Sequence, residues 1–320
     1  MAARDVQTAS DVSGEHPVSS FSGVRSGADV GAPGGTAGGE GPEPERQSTV
    51  QVAPMSQTTM PTYVINLLRC PDRRAHMTRQ LAKTGVSYEF VDAVDHKDLD
   101  LADTNLIDPR IFDNSWFRPG VAACALSHLR VYRKVLQDGP EIDAPDVALV
   151  LEDDITLPED LLALAGAVAA QMSGAEVALL SFHSPEPSRF TIEGAIGLLA
   201  GRRLMHPVDL RQLTSGGAYL ITRKACELMQ SAVLPIRARA DEWGHFQNSG
   251  AIDRVRCVVP LTVRKDYNFR STMEYYPATS LHGKLQRAAR RRVPVLYQVL
   301  AFRRRRIDAR WSRIEIVEKT

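Results

Sequence analysis

Cysteine is scarce in this chain of 320 residues: Cys70, Cys124, Cys226 and Cys257 are widely spaced, with no C-x-x-C pair and no histidine at finger spacing. A disulfide framework is excluded, and a zinc finger has no ligand set. Aromatic residues are few, at 6%. No stretch approaches the roughly 20 apolar residues that a membrane-spanning helix requires. The start, Met1 to Thr8, lacks the apolar segment of a secretory signal, so the expected compartment is the cytoplasm. Charge of one sign is lacking too, with 39 basic against 38 acidic residues. At 43% hydrophobic and 24% charged, the remainder is an ordinary soluble composition that excludes collagen-like and wholly disordered chains.

The near-zero total conceals a division. Residues 284–313 hold eleven Lys and Arg residues against Asp308 alone, a local charge of +10 that leaves the rest at −9. At the other end, nine of the 22 glycines fall within the first 41 residues. A segment of Gly, Ser, Thr, Pro and Glu cannot bury enough apolar surface to offset its ordering entropy, so residues 1–58 are expected to be a disordered tail. One domain over 59–279 and a basic helical extension over 280–320 complete the expected organisation.

Within the domain, short apolar runs alternate with helical patterns. Thr62 to Leu67, Tyr88 to Val91, Asp146 to Leu151, Glu176 to Phe182, Gly216 to Thr222 and Arg256 to Pro260 read as strands. Helical patterns cover about 73–83, 121–138, 158–172 and 223–233. Such alternation implies an α/β sandwich with a mainly parallel sheet, whose functional groups gather at the carboxyl ends of strands.

Three acids, Glu152, Asp153 and Asp154, follow the most apolar of these strands. Fixed by a sheet and repelling one another, they suit a hard cation such as Mg²⁺ or Mn²⁺ together with phosphate oxygens; the alternative is a solvated acidic loop. Asn66, Arg69, Asp72, Arg73 and Arg74 cluster where the first strand meets a helix, a place for an anion or for a surface arginine pair with Asp72 as cap. Ser127 and His128 lie within a helix, where a histidine either packs or acts as a base. Asp241, Glu242 and Trp243 follow the last helix.

Their order is informative. I-N-L-x-R-x-x-x-R-R at Ile65 to Arg74, G-x-x-x-C-x-x-S-H at Gly120 to His128, L-E-D-D at Leu151 to Asp154 and G-x-Y-L-I-T at Gly217 to Thr222 resemble glycosyltransferase family 25 over about residues 61–273. That family comprises bacterial lipopolysaccharide and lipooligosaccharide β-galactosyltransferases and the related collagen galactosyltransferases. The resemblance implies a GT-A-like, Rossmann-type α/β/α sandwich, a UDP-sugar donor with UDP-galactose foremost, a glycan acceptor, a divalent cation and inversion at the anomeric carbon. It makes Asp154, with Glu152 or Asp153, the metal-binding element, and Asn66, Arg69, Arg73 and Arg74 the nucleotide or phosphate contacts. Leu68, where relatives often carry an acid, departs from the pattern.

An inverting transfer needs a base for the acceptor hydroxyl. Asp241 is the first candidate, Glu242 the second and His128 the third, the last with a structural or donor-positioning role as its alternative. Trp243 would either stack on a sugar or pack half-buried. The basic segment at 284–313, with Leu296, Tyr297, Leu300 and Phe302, suits the anionic inner face of a membrane, with a solvated tail or a nucleic-acid contact as alternatives. Two other functions fit the same residues: a catalytically silent nucleotide-sugar or glycan binder, and a metal-dependent nucleotidyl or phosphoryl transferase.

Overall fold

A computed structural model describes residues 60–113, 117–139, 146–211, 213–269, 272 and 294–318. The expected tail at 1–58 and the boundary at 279/280 lie outside these residues. Eleven strands and six helices are described, in the order β1 (Thr62–Asn66), α1 (Pro71–Leu81), β2 (Glu89–Asp92), α2 (Pro119–Gln137), β3 (Val147–Glu152), β4 (Ile155–Thr156), α3 (Leu161–Ala169), β5 (Glu176–Leu179), β6 (Ser188–Gly197), β7 (Arg203–Pro207), β8 (Ala218–Thr222), α4 (Arg223–Ala232), α5 (Trp243–Asn248), β9 (Arg254–Val259), β10 (Arg264–Lys265), α6 (Pro294–Trp311) and β11 (Ile314–Val317).

Nine strands form one sheet in the order β11-β6-β7-β9-β5-β8-β3-β1-β2. Following the pairings outward from β1, only β7 and β8 run against the common direction. The mainly parallel sheet expected from the alternation of elements is therefore present in strand direction, with two reversed strands inserted. Neighbouring residues on a strand face opposite sides, and the core divides accordingly. On β3, Ala148 and Val150 join Tyr219 and Ile221 of β8 beneath α2, α4 and α5. Val147, Leu149 and Leu151 join Ala218 and Leu220 beneath α1 and α3. Both faces are covered, which makes the α/β/α sandwich.

Local chemistry sets the helix starts. Pro71 and Pro119 occupy first-turn positions in α1 and α2, where the missing N–H costs nothing. Thr222 caps α4 by accepting from the Ala225 amide at 3.2 Å. Between β5 and β9 the fully buried Glu176 is flanked by Arg256 and Arg254, the latter at 2.9 Å. A buried carboxylate would cost several kcal/mol without such partners, so this cluster ties the two strands through charge pairing and hydrogen bonds. All four cysteines are free thiols.

Two features differ from expectation. The β6–β7 hairpin extends the sheet on the side of β9, and its half-exposed, weakly alternating sequence carries little strand signal. The basic end is more than a helical appendage: α6 is followed by β11, which pairs in parallel with β6 from Ile314 opposite Ser188 to Val317 opposite Thr191. Residues 314–317 therefore belong to the sheet of the domain.

Candidate active site

The parallel pairing of β1 with β3 sets Ile65 opposite Glu152, so the residues that follow both strands emerge side by side. Asn66 Nδ2 donates to Asp153 Oδ2 at 2.8 Å. Arg73, buried in the first turns of α1, donates from Nη1 to Asp153 Oδ1 at 2.5 Å and sets Nη2 3.3 Å from Asp154 Oδ2. A small ribbon of β4 and β10 brings Lys265 Nζ to 3.2 Å from the same Asp154 oxygen. Three carboxylates thus face two cations. Burial pushes the Asp153 carboxyl up, against the charge of Arg73. Burial would lower the Arg73 guanidinium, but the charges of Asp154 and Asp153 outweigh it and raise it. The Asp154 charge likewise raises the Lys265 ammonium.

The three acids are not equivalent. Asp153 has both oxygens engaged by Asn66 and Arg73, so it fixes the geometry between β1 and β3. Asp154 Oδ1 is buried and has no hydrogen-bond partner among the described residues, an expensive condition for a carboxylate oxygen. Glu152 is half-buried and lines the cleft, with Oε1 3.4 Å from His128 Nε2. The unsatisfied Asp154 oxygen and the Glu152 carboxylate form a donor set that fits a hard divalent cation. Cys124, His128 and Glu152 also bring ligand-type atoms within 4.8 Å of one another. Burial, then the charges of Glu152 and Asp241, push the Cys124 thiol well up, which disfavours the thiolate that a soft metal would need.

His128 is 2% exposed and sits at the end of a buried chain in which Tyr219 Oη lies 3.3 Å from Tyr132 Oη and 2.7 Å from His128 Nδ1. With one ring nitrogen on Tyr219 and the other facing Glu152, it positions the carboxylate. The neighbouring Ser127 Oγ accepts from the Val94 amide and donates to Ala123 O, joining α2 to the loop after β2. The two glycines before β8 permit this packing. A Cβ on Gly216 would lie 3.1 Å from His128 Nε2 and 3.4 Å from Glu152 Oε1.

The cleft continues beyond the acids into a cavity of about 290 Å³ that contains Ser215, Asp241, His183 and Trp311. Asp241 Oδ2 accepts from the Ser215 amide at 2.9 Å, which orients the carboxylate within the cavity. Glu242 is engaged elsewhere, accepting from Arg239 Nε at 2.9 Å and from the Arg239 amide at 3.2 Å. Trp243 is fully buried, donates from Nε1 to Ser215 O and meets Tyr219 edge to face at 5.1 Å, so it packs and cannot stack on a sugar. Arg69 is held on Asp95, whose neighbour His96 lines the cleft. Arg74 lies 4.0 Å over the Phe90 ring and is not among the described cleft-lining residues. Of the four proposed nucleotide contacts, Asn66 and Arg73 therefore join the acids directly, whereas Arg69 and Arg74 have other partners. Ser215, His183 and Trp311 carry no motif signal, and they meet Lys265 only through the fold.

Residues 59–190 match the family model described as "Glycosyltransferase family 25 (LPS biosynthesis protein)". This segment, under half of the chain, is similar to glycosyltransferase family 25. A protein of Acanthamoeba polyphaga mimivirus whose name places it among the glycosyltransferases is 39% identical over 93 residues. The match takes in 29% of this chain and spans 28% of the relative's length. Among solved structures, a glycosyltransferase involved in glycosylation of the major capsid of PBCV-1 is similar at a TM-score of 0.30 and 8% identity, over 62% of this chain and 80% of that one. At that level the likeness does not bear on function. The family 25 segment holds Asn66, Arg73, His128 and the three acids, whereas Ser215, Asp241, Lys265 and Trp311 lie after it. One cleft thus combines the family's segment with residues from the chain that follows it.

Proposed function

We propose that this chain is an inverting glycosyltransferase that moves a hexose, galactose from UDP-galactose foremost, onto a lipopolysaccharide or another cell-surface glycan. One observation carries the reading: the buried, unpartnered Asp154 oxygen beside Glu152, in a cleft that also contains Asp241. Asp154 and Glu152 would hold Mn²⁺ or Mg²⁺, which when bound supplies positive charge to the departing diphosphate. Arg73 and Lys265, already drawn to Asp154, add fixed positive charge at the same end of the cleft. Asp153 and Asn66 keep β1 and β3 in register, and His128 holds Glu152. On the other side Asp241 takes the proton of the acceptor hydroxyl as its oxygen bonds to the anomeric carbon, while the bond from that carbon to UDP breaks. Attack opposite the leaving group inverts the anomeric centre.

A thermal-shift panel of UDP-galactose, UDP-glucose, CMP-sugars and GDP-sugars with Mn²⁺ tests the donor. UDP-galactose should raise Tm by about 4 °C or more at saturating concentration, the behaviour of a ligand that binds only the folded state. A shift with CMP- or GDP-sugars alone would replace the donor class, and no shift with any of them would remove the reading.

The acceptor side of the proposal places the enzyme on an anionic inner membrane face through α6. Val299, Phe302 and Ile307 are exposed on this helix together with Arg303, Arg306 and Arg310. No described helix is long and apolar enough to cross a membrane. Reversing Arg303, Arg306 and Arg310 to Glu should weaken co-sedimentation with phosphatidylserine vesicles about 100-fold or more, at about 1 kcal/mol for each lost positive charge. Equal pelleting of both proteins would remove the membrane role.

A further inference from the structure

The last turn of α6 reaches the cleft. Trp311 and Ser312 line the cavity that holds Asp241, and the Trp311 ring lies parallel to the His183 imidazole, with centroids 5.7 Å apart and planes 11° from parallel. The position is held by backbone bonds at Trp311 itself and just after it. Trp311 O accepts from the Ser184 amide at 3.0 Å, Arg313 O accepts from the Ser188 amide at 2.8 Å, and β11 then continues along β6. His183 is itself held by reciprocal backbone bonds with Thr214, next to Ser215 and the Asp241 contact. Even so, 38% of the tryptophan remains exposed.

We propose that the Trp311–His183 stack is the acceptor-sugar platform of this enzyme, a subsite for the apolar face of a pyranose. The proposal rests on the glycosyltransferase reading above and adds where the acceptor lies. A pyranose with its axial C–H bonds on one side presents hydrogens of slight positive charge, which match the electron-rich face of an indole. The location on the acceptor side follows from the two halves of the cleft. Glu152, Asp154, Cys124 and Lys265 line both halves. Arg73, Val94 and His96 line only the half next to β1, whereas Asp241, His183 and Trp311 line only the other. A donor whose diphosphate sits at the acids and whose nucleoside extends over the β1 half leaves the Trp311 half to the nucleophile, beside the carboxylate that would deprotonate it. Tethering Trp311 through β11 also explains why the C-terminal end is woven into the sheet. The aromatic surface is held rigidly, so little entropy is lost when a sugar settles on it.

Saturation-transfer NMR on the full chain tests this, with Mg²⁺, UDP-2-deoxy-2-fluorogalactose to fill the donor side without transfer, and methyl β-D-galactopyranoside as the acceptor probe. The unaltered protein should saturate the probe's axial C–H hydrogens and the uridine ring hydrogens. Trp311→Ala should cut the probe signal about fivefold or more while the uridine signal stays, and Trp311→Phe should restore most of it. The retained uridine signal shows that the variant is folded. An undiminished probe signal in Trp311→Ala, or no probe signal in the unaltered protein, overturns the platform. A probe signal that depends on Trp311 without any uridine signal supports the platform and instead overturns the UDP-sugar reading.

Discussion

Asp241→Asn should turn over about 10³ times more slowly than the unaltered enzyme, with UDP affinity within a few fold, the range lost when a general base is removed. Asparagine keeps the shape of the side chain, and its carbonyl oxygen can still accept from the Ser215 amide that orients Asp241 at 2.9 Å. The cavity should therefore keep its form and lose only the ability to take a proton. Donor binding is spared because Asp241 does not line the half of the cleft that contains Arg73 and His96. Steady-state kinetics with UDP-galactose and UDP titration on the same preparation check both parts. Unchanged turnover would remove Asp241 from the mechanism. Glu242 is a poor replacement, since its carboxylate is already held by the side chain and backbone of Arg239.

Asp154→Asn should lose transfer by about 10²-fold or more and should lose the Mn²⁺ dependence of donor binding, because it removes charge stabilisation aimed at the departing diphosphate. In the unaltered enzyme, EDTA should abolish transfer and added Mn²⁺ should restore it. The orphaned Oδ1 gives this residue its weight: it is the buried acid oxygen that no described protein group satisfies. The same substitution leaves Arg73 and Lys265 with less compensating charge, so the Lys265 ammonium, raised chiefly by Asp154, should move back toward its ordinary value. Full activity in EDTA would overturn the metal assignment while leaving Asp241 untouched. The two variants thus report on separate groups, Asp154 where the two halves of the cleft meet and Asp241 in the half that holds Trp311.

Much of this arrangement was legible from local pattern. The β1, β3, β5 and β8 runs are buried on both faces and read as short, largely apolar segments, and α1, α2 and α4 lie within a few residues of the helical patterns at 73–83, 121–138 and 223–233. The acids at the end of β3 were visible because a wholly apolar run gives way there to three consecutive carboxylates. Their differing roles were not. Asp153 and Asp154 are adjacent in sequence, yet one is satisfied by Asn66 and Arg73 and the other keeps a free oxygen, a distinction made by groups 80 or more residues away. Arg73 and Arg74 separate for a similar reason: one turns onto the acids, the other onto Phe90.

The sequence by itself determined the class of fold, the resemblance to a glycosyltransferase family over about 61–273 and the acids at the end of the central strand, because apolar runs, helical spacing and motif order are written in neighbouring residues. The aromatic assignment was decided only by tertiary structure. Trp243 stood beside the candidate base and is buried against Tyr219, while Trp311 followed a run of arginines and lines the cleft. What separates them is the parallel pairing of β11 with β6, a contact between residues more than 120 positions apart. Local propensity reports which way a segment is inclined to fold, but which side chains share a cavity depends on how distant strands register, and no local pattern in the basic end encodes that pairing.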